Sequence, residues 1–440
     1  MDLEGFAKRG LRRADPDVVP KLKELILEVK GDRIDEKYAD TLARAVLEEA
    51  EVTLNPMGDV FKLEESGVSM GDFGVGSRGL GDFYAHGKIA EVIGETEAEV
   101  DSRELDDSGA VEAGGKYLVL TVDGMHSRLS DYPFLAGFHV TRATLRDIYV
   151  MGSKPVAMLS DIHLADDGDV ARLFDHIAGI AAVGELTNVP LITGSTLRIG
   201  GDMVIGDRLT GCVGAVGVAD KLTPRRDAVP GDVILMTEGA GGGTICAAAL
   251  YYGWHEVVDE TINIKFLEAA DALLDADVEI HAMTDVTNGG IRGDAKEISE
   301  TAKVKLIFEE EKMGRLVNPK VLEMLEALKI DYLGVSIDAL LIIAPKSSAE
   351  EIVRVIRGTG VEIDQIGQVE KGVGVELRTK GGITDFEPRF RESAYTPIKK
   401  AVDEAPVRDF EGMKSKVDIA AQNAVAKKKL FVERISAKKT

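Results

Sequence analysis

Carboxylates recur where the chain passes from one element to the next. The apolar, β-branched run Leu118 to Val122 reads as a strand and ends at Asp123-Gly124, a turn signal with an acid at its tip. Asp147 sits within residues 141–151, where Ala143, Leu145, Ile148 and Val150 have helical spacing; Gly152 ends that helix and Pro155 starts a new apolar run. Asp106-Asp107 fills a short loop before a strand, and Asp285 closes the strand Ile280 to Asp285, ahead of Gly289-Gly290 and a helix. An acidic pair alone is an ordinary solvated turn. Three acids at the ends of adjacent strands make an oxygen-rich Mg²⁺ site. Residues 67–81, GVSMGDFGVGSRGLG, add Gly74, Gly76 and Gly79 around one cation, Arg78. They match neither a Walker pattern nor a strict dinucleotide fingerprint, so they read as a flexible loop or as a mobile lid over phosphate. A second glycine-rich turn, 238–244, lies between a strand (233–237) and a helix (245–252), as a phosphate site or for tight packing.

Alternating strands and helices position these groups. Residues 19–29 and 35–51 read as helices of a packing extension, and 170–186 as a helix with Leu173, Ile177, Ile180 and Val183 inward. A strand at 189–193 ends in a turn at Gly194-Ser195-Thr196, and the small-residue strand 209–218 suits close packing or an interface. TPRRDAVPGD, near Thr223, is a turn-rich hinge. Beyond it, strands and helices alternate to about residue 378, and a polar helical tail carries Lys427, Lys428 and Lys429 as a solvated end. The divisions are 1–60, a helical extension; 61–225, a first domain; 226–400, a second domain; and 401–440, the tail.

At 440 residues the chain exceeds one ordinary core. Its 53 basic and 76 acidic residues give a formal charge of -23, which argues against nucleic acid as a partner. No apolar run reaches membrane-spanning length and no segment reads as a signal peptide, so no membrane association and a cytoplasmic location are expected. Cys212 and Cys246 read as buried free thiols.

Six motifs in order, DDSGAV at Asp106, TVDG at Thr121, RDIYVMGSKP at Arg146, GST at Gly194, PGDVILMTEGAGGG at Pro230 and AMTDVTNGGI at Ala282, give the chain a family resemblance. It resembles the superfamily of aminoimidazole ribonucleotide (AIR) synthetase, selenophosphate synthetase, thiamine-monophosphate kinase and hydrogenase maturation factor E. The resemblance implies a two-domain α+β, PurM-like fold: an amino-terminal α+β domain whose strands pair across a homodimer, and a larger carboxy-terminal α/β domain. It implies ATP and Mg²⁺ as cofactors, and a small-molecule acceptor that the sequence does not identify. Asp106, Asp107, Asp123 and Asp147 would hold the metal, with Asp123, Asp147 and Arg146 catalytic. Gly74, Gly76, Arg78, Gly79, Asp106, Asp107, Asp285, Gly289 and Gly290 would bind the nucleotide or line the acceptor side.

Two positions differ from the family's pattern: Arg146 stands where an asparagine is usual, and Ser195 where an acidic residue is. The selenophosphate enzyme's catalytic cysteine region and the maturation factor's carboxy-terminal cysteine have no counterpart, so neither activity is expected. The expectations are an ATP- and Mg²⁺-dependent enzyme that phosphorylates or activates a small molecule, or a nucleotide-binding accessory protein without turnover.

Overall fold

The computed structural model describes residues 1–287, 289–392, 394–407 and 409–438. Two mixed sheets organise it. The first holds β1 (Gly109–Ala113), β2 (Lys116–Gly124), β3 (Lys154–Leu164), β4 (Leu191–Arg198) and β5 (Leu209–Ala219) in the order β1-β2-β5-β3-β4. The second holds β6 (Val233–Thr237), β7 (Ala282–Asp285), β8 (Val304–Glu309), β9 (Leu340–Ala344), β10 (Ile363–Lys371), β11 (Gly374–Thr379) and β12 (Gly382–Asp385), in the order β12-β11-β8-β10-β6-β9-β7. The fold is α+β, with two sheets in the two expected domains.

Helices Pro133–Val150 and Ala171–Thr187 cover the inner face of the first sheet. They pack closely because glycines meet: a Cβ on Gly137 would lie 2.1 Å from the His176 carbonyl oxygen, and one on Gly179 would lie 2.1 Å from that of Phe134. The small residues of β5 act likewise, since a Cβ on Gly217 would strike Ile148. Helix Pro133–Val150 also touches β7 and helix Lys265–Asp275, so it lies between the two sheets and is buried nearly all round. It begins eight residues before the expected start, with Pro133 at its first turn, a position where proline's fixed φ suits a helix.

Two expectations are corrected. The expected turn at Gly194-Ser195-Thr196 is the middle of edge strand β4, where Gly194 pairs with Ser160 and Ser195 with Asp161. Glycine fits there because a Cβ would lie 2.7 Å from the Ser160 carbonyl oxygen. The lysine run of the tail is not simply solvated. On helix Phe410–Ser436, Lys427 donates to the carbonyls of Val60 and Lys62 at 2.7 and 2.8 Å, and Lys428 to those of Val92 and Ile93 at 2.5 and 2.9 Å. A cation there complements the carbonyl end of helix Leu80–Ile93.

The amino-terminal helices Leu3–Arg12, Val18–Lys30 and Glu36–Leu54 form a satellite core around Leu22, Ile26, Ala43 and Val46. Lys30 anchors it to Asp166 and Asp167 beyond β3. Cys246 is buried, Cys212 is half-buried, and both are free thiols. Among the described residues no helix is long and apolar enough to cross a membrane.

Candidate functional site

A cavity of about 810 Å³ opens between the two sheets. Gly76, Arg78, Asp106, Asp107, Asp123, Arg146, Asp147 and Asp285 line it, so eight of the residues singled out in the sequence meet in one place. The side chain of Asp123 points off β2 toward helix Pro133–Val150 because alternation puts Val119, Thr121 and Asp123 on the covered face. Opposite it on that helix, Asp147 accepts a hydrogen bond from Thr121 Oγ1 at 2.9 Å.

The acids are not equivalent. Asp106 and Asp107 are tied by Arg225, which is fully buried in the turn expected to be a hinge. Its backbone N–H donates to Asp106 at 2.9 Å, and its guanidinium to Asp107 at 2.6 Å, Glu297 at 2.8 Å and Thr284 at 2.7 Å. Thr284 in turn donates to the other oxygen of Asp107, at 2.8 Å. Burial lifts Asp106 to about 7, against the attraction of Arg225. Asp294, one helical turn before Glu297, is buried and pushed well up by desolvation. Arg225 stays charged because these carboxylates outweigh the cost of its burial.

Arg146 is also engaged. It lies 3.0 Å from Asp285 through Nε, and shares the buried carboxylate of Asp338 with Arg142, one turn earlier. The ring of Phe266 lies 5.7 Å from its guanidinium carbon. Asp338 has φ 59°, a left-handed conformation that aspartate tolerates better than most residues. Burial raises Asp285 to about 6, with Arg146 opposing the rise. Among the described residues, no ion pair serves Asp123 or Asp147. Burial raises both, Asp147 well above the carboxylate range, with Asp123, Asp285 and Asp107 adding repulsion at Asp147.

Among the described residues no three acids, histidines or cysteines converge as a ready-made metal cage. Of the four aspartates expected to hold metal, Asp106 and Asp107 are engaged by Arg225. The donors that remain outside any ion pair among the described residues, Asp123 and Asp147, are both oxygen, and Asp123 adds repulsion at Asp147. This set fits a hard cation such as Mg²⁺, which characteristically takes one or two carboxylates and completes its shell with water and phosphate.

The glycine-rich segment forms a short helix, Met70–Phe73, and a tight loop into helix Leu80–Ile93. The N–H groups of Gly76 and Arg78 donate to the buried carboxylate of Asp82 at 2.9 and 2.8 Å, so an internal acid holds two of the amides expected to face phosphate. Gly74, Gly79, Gly289 and Gly290 do not line the cavity. Gly79 packs on the carbonyls of Arg389 and Phe390, Gly74 on Phe390, Gly289 on Arg78 and Gly290 on the Leu333 carbonyl. The side chain of Arg78 reaches toward Glu297, at 3.9 Å.

At the other end of the cavity are residues the sequence reading passed over. His139, Arg142 and Arg146 project from one helix face, at spacings of three and four, a pattern that marks them once the helix is known to start at Pro133. His126, three residues after Asp123, bonds Tyr395 through Nε2 at 2.5 Å. Gly242, Gly243 and Thr244 open helix Gly243–Tyr252 there without a side-chain cap.

The acid-lined cavity lies between two mixed sheets, and one family model matches the stretch of chain that carries the first and another most of the stretch that carries the second. The profiles "AIR synthase related protein, N-terminal domain" and "AIR synthase related protein, C-terminal domain" match residues 105–219 and 229–380. The chain belongs to the AIR synthase-related family. An uncharacterized protein of Methanocaldococcus jannaschii is 53% identical over 100% of this chain and 99% of its own, so it shares both helical ends. Thiamine-monophosphate kinase of Pyrococcus horikoshii is 25% identical over 66% of this chain and 90% of its own. Among solved structures, the hydrogenase maturation protein HypE in complex with ATP aligns at a TM-score of 0.54 and 20% identity, over 65% of this chain and 88% of that one. The HypE–HypF complex aligns at 0.57 and 19%, over 68% and 98%. These structural likenesses speak to the fold.

Proposed function

We propose that the cavity binds ATP with Mg²⁺ and that the protein transfers the terminal phosphoryl group to, or otherwise activates, a small molecule. The observation that carries this reading is the placing of Asp123 and Asp147: two carboxyl groups without an ion pair among the described residues, on the wall of a cavity large enough for a nucleotide, both driven up by burial, with the charge of Arg146 opposing the rise at each. A structural relative solved in complex with ATP, and a kinase among the sequence relatives, support it.

Asp123 and Asp147 would hold the ion, with Asp285 within reach. Bound there, Mg²⁺ would neutralise phosphate oxygens as charge shifts during transfer. The chain's own part is positioning. Arg225 fixes the strand-end acids, Thr121 orients Asp147, and Arg78 brings a cation to the lid side of the cavity. Phosphoryl transfer depends mainly on such alignment and on charge neutralisation.

Mg²⁺-ATP should raise the melting temperature by several degrees, since a ligand bound only by the folded state stabilises it. Asp123→Asn should lower ATP turnover by about 10²-fold or more, the usual scale for removing a charge-stabilising group. No thermal shift at millimolar Mg²⁺-ATP would overturn the nucleotide reading. One observation favours a second reading, an accessory protein that binds ATP without turnover: Arg146 is spent on Asp285 and Asp338. In that case ATP would raise the melting temperature, but phosphate release would stay at background with every acceptor tried.

The assembly we propose is a homodimer through the outer face of the first sheet. Pairing register puts Val111, Leu118, Leu120, Val122, Val216 and Leu159 on that face, away from the helices. Val122 is 64% exposed and Leu120 46%, an apolar surface of the kind that marks an interface.

A further inference from the structure

The end of the cavity around His139 has two features that the binding of nucleotide phosphates does not use. The first is the start of helix Gly243–Tyr252. Its cap, Gly242, offers no side chain to the first-turn amides, and a Cβ on Gly243 would press on His126 at 3.2 Å, so the turn stays bare. The guanidinium of Arg146 lies behind it, 3.8 Å from where a Gly242 Cβ would stand. Orphan amides backed by the helix dipole form a seat for an oxyanion.

The second feature is independent of the helix. His139 is 4% exposed and lines the cavity, and its Nδ1 has no partner among the described residues. Its protonation pattern follows from its neighbour. Thr261 Oγ1 donates to the Val258 carbonyl at 2.7 Å, and in that arrangement it accepts from His139 Nε2, at 3.4 Å. Nδ1 is then the bare nitrogen. Burial pushes His139 down to about 3, so the ring stays neutral at physiological pH. The wall of this cavity therefore presents amide donors and one buried ring nitrogen that no described protein group satisfies. A buried acceptor of this kind needs a hydrogen from a ligand.

We propose that this end is the acceptor subsite, and that it takes a small molecule carrying an oxyanion (carboxylate or phosphate) next to a hydroxyl or amine hydrogen. The oxyanion sits on the amides of Gly243 and Thr244, and the neighbouring O–H or N–H donates to His139 Nδ1. The assignment as an acceptor subsite rests on the nucleotide reading above. His126, on the segment that follows Asp123, puts the subsite next to the acid wall, so a molecule held there faces the proposed phosphate position.

The test uses the full chain labelled with ¹⁵N at glycine, threonine and histidine, titrated with glycolate, acetate and inorganic phosphate, with and without Mg²⁺ and a non-hydrolysable ATP analogue. Glycolate should shift the Gly243 and Thr244 amides and His139 Nδ1 saturably, and bind about tenfold more tightly than acetate, which lacks the hydroxyl, a difference of one hydrogen bond. Phosphate matching glycolate would identify a phosphate-bearing acceptor, and glycolate alone a hydroxy-acid. His139→Phe should erase the preference for glycolate over acetate yet keep the Gly243 shift. His139→Asn, whose amide oxygen restores an acceptor near Nδ1, should recover part of it, and serves if the phenylalanine variant fails to fold. Anions that leave Gly243 and His139 unmoved, while the ATP analogue still shifts the Arg78 side, would overturn the subsite and spare the nucleotide reading. Anion shifts at Gly243 with no response to the analogue would support the anion seat and remove the nucleotide reading.

Discussion

Arg225 sets the electrostatics of the acid wall. Its buried guanidinium serves Asp107 and Glu297, with Asp294 at 3.8 Å, while its backbone N–H holds Asp106. Removing it would leave several buried carboxylates without compensation, the costly half of a buried ion pair. Arg225→Met is expected to lose about 3–5 kcal/mol of stability in urea unfolding. Its neighbour Arg226 is a control: it pairs with Glu99 and Glu104 while about a third exposed, and Arg226→Met should cost no more than about 1 kcal/mol. Equal losses for the two would contradict this account. Arg225 was not legible in the sequence because its partners are remote: Asp107 lies 118 residues away along the chain and Glu297 lies 72. The same holds for Asp338, which meets Arg146 across 192 residues. The strand-end acids were legible because a strand that stops at an aspartate leaves its mark within a few residues.

The elements were read well where periodicity is strong and poorly where packing decides. Strand 233–237 falls where the pattern puts it and helix 170–186 is found one residue on, while β4 runs straight through a Gly-Ser-Thr that reads as a turn, because Gly194 is there to let the Ser160 backbone approach. The carboxy-terminal helix is another case. A polar helix with three lysines reads as a solvated end, yet it clasps the segment that carries the glycine-rich loop. Tyr84 donates to Asp418 at 2.7 Å, Phe410 packs on Phe73 and Phe390 with centroids at 5.5 and 5.0 Å, and Lys428 closes the end of helix Leu80–Ile93. Ending the chain after Glu404 should therefore lower the melting temperature and open residues 59–93 to protease, as read by mass spectrometry of early fragments. An unchanged cleavage pattern would mean that the loop is held by residues 389–392 alone.

At the scale of the whole molecule, the two sheets have different needs. The second is covered by helices and has buried strands such as β9, whose five residues are all buried. The first is covered on one face only. Alternation along β2 puts Asp123 inward, beside Asp147, and Leu118, Leu120 and Val122 outward, so a single register supplies both the site and an apolar exterior. A sequence shows that alternation but not which face meets the helices, and the exposed face became apparent only with the fold. In the proposed homodimer a second copy covers it. Light scattering should return twice the chain's 47.3 kDa for the native protein. Leu120→Lys combined with Leu159→Lys puts two charges in the middle of the outer face, away from the cavity lining, and should return one chain mass. Asp123, Asp147 and Arg78 all lie on one chain, so the monomeric variant should keep its thermal response to Mg²⁺-ATP even as its baseline melting temperature falls. A native protein that runs at 47.3 kDa across micromolar concentrations would remove the dimer. A monomer that loses the ATP response would mean that the partner subunit shapes the cleft.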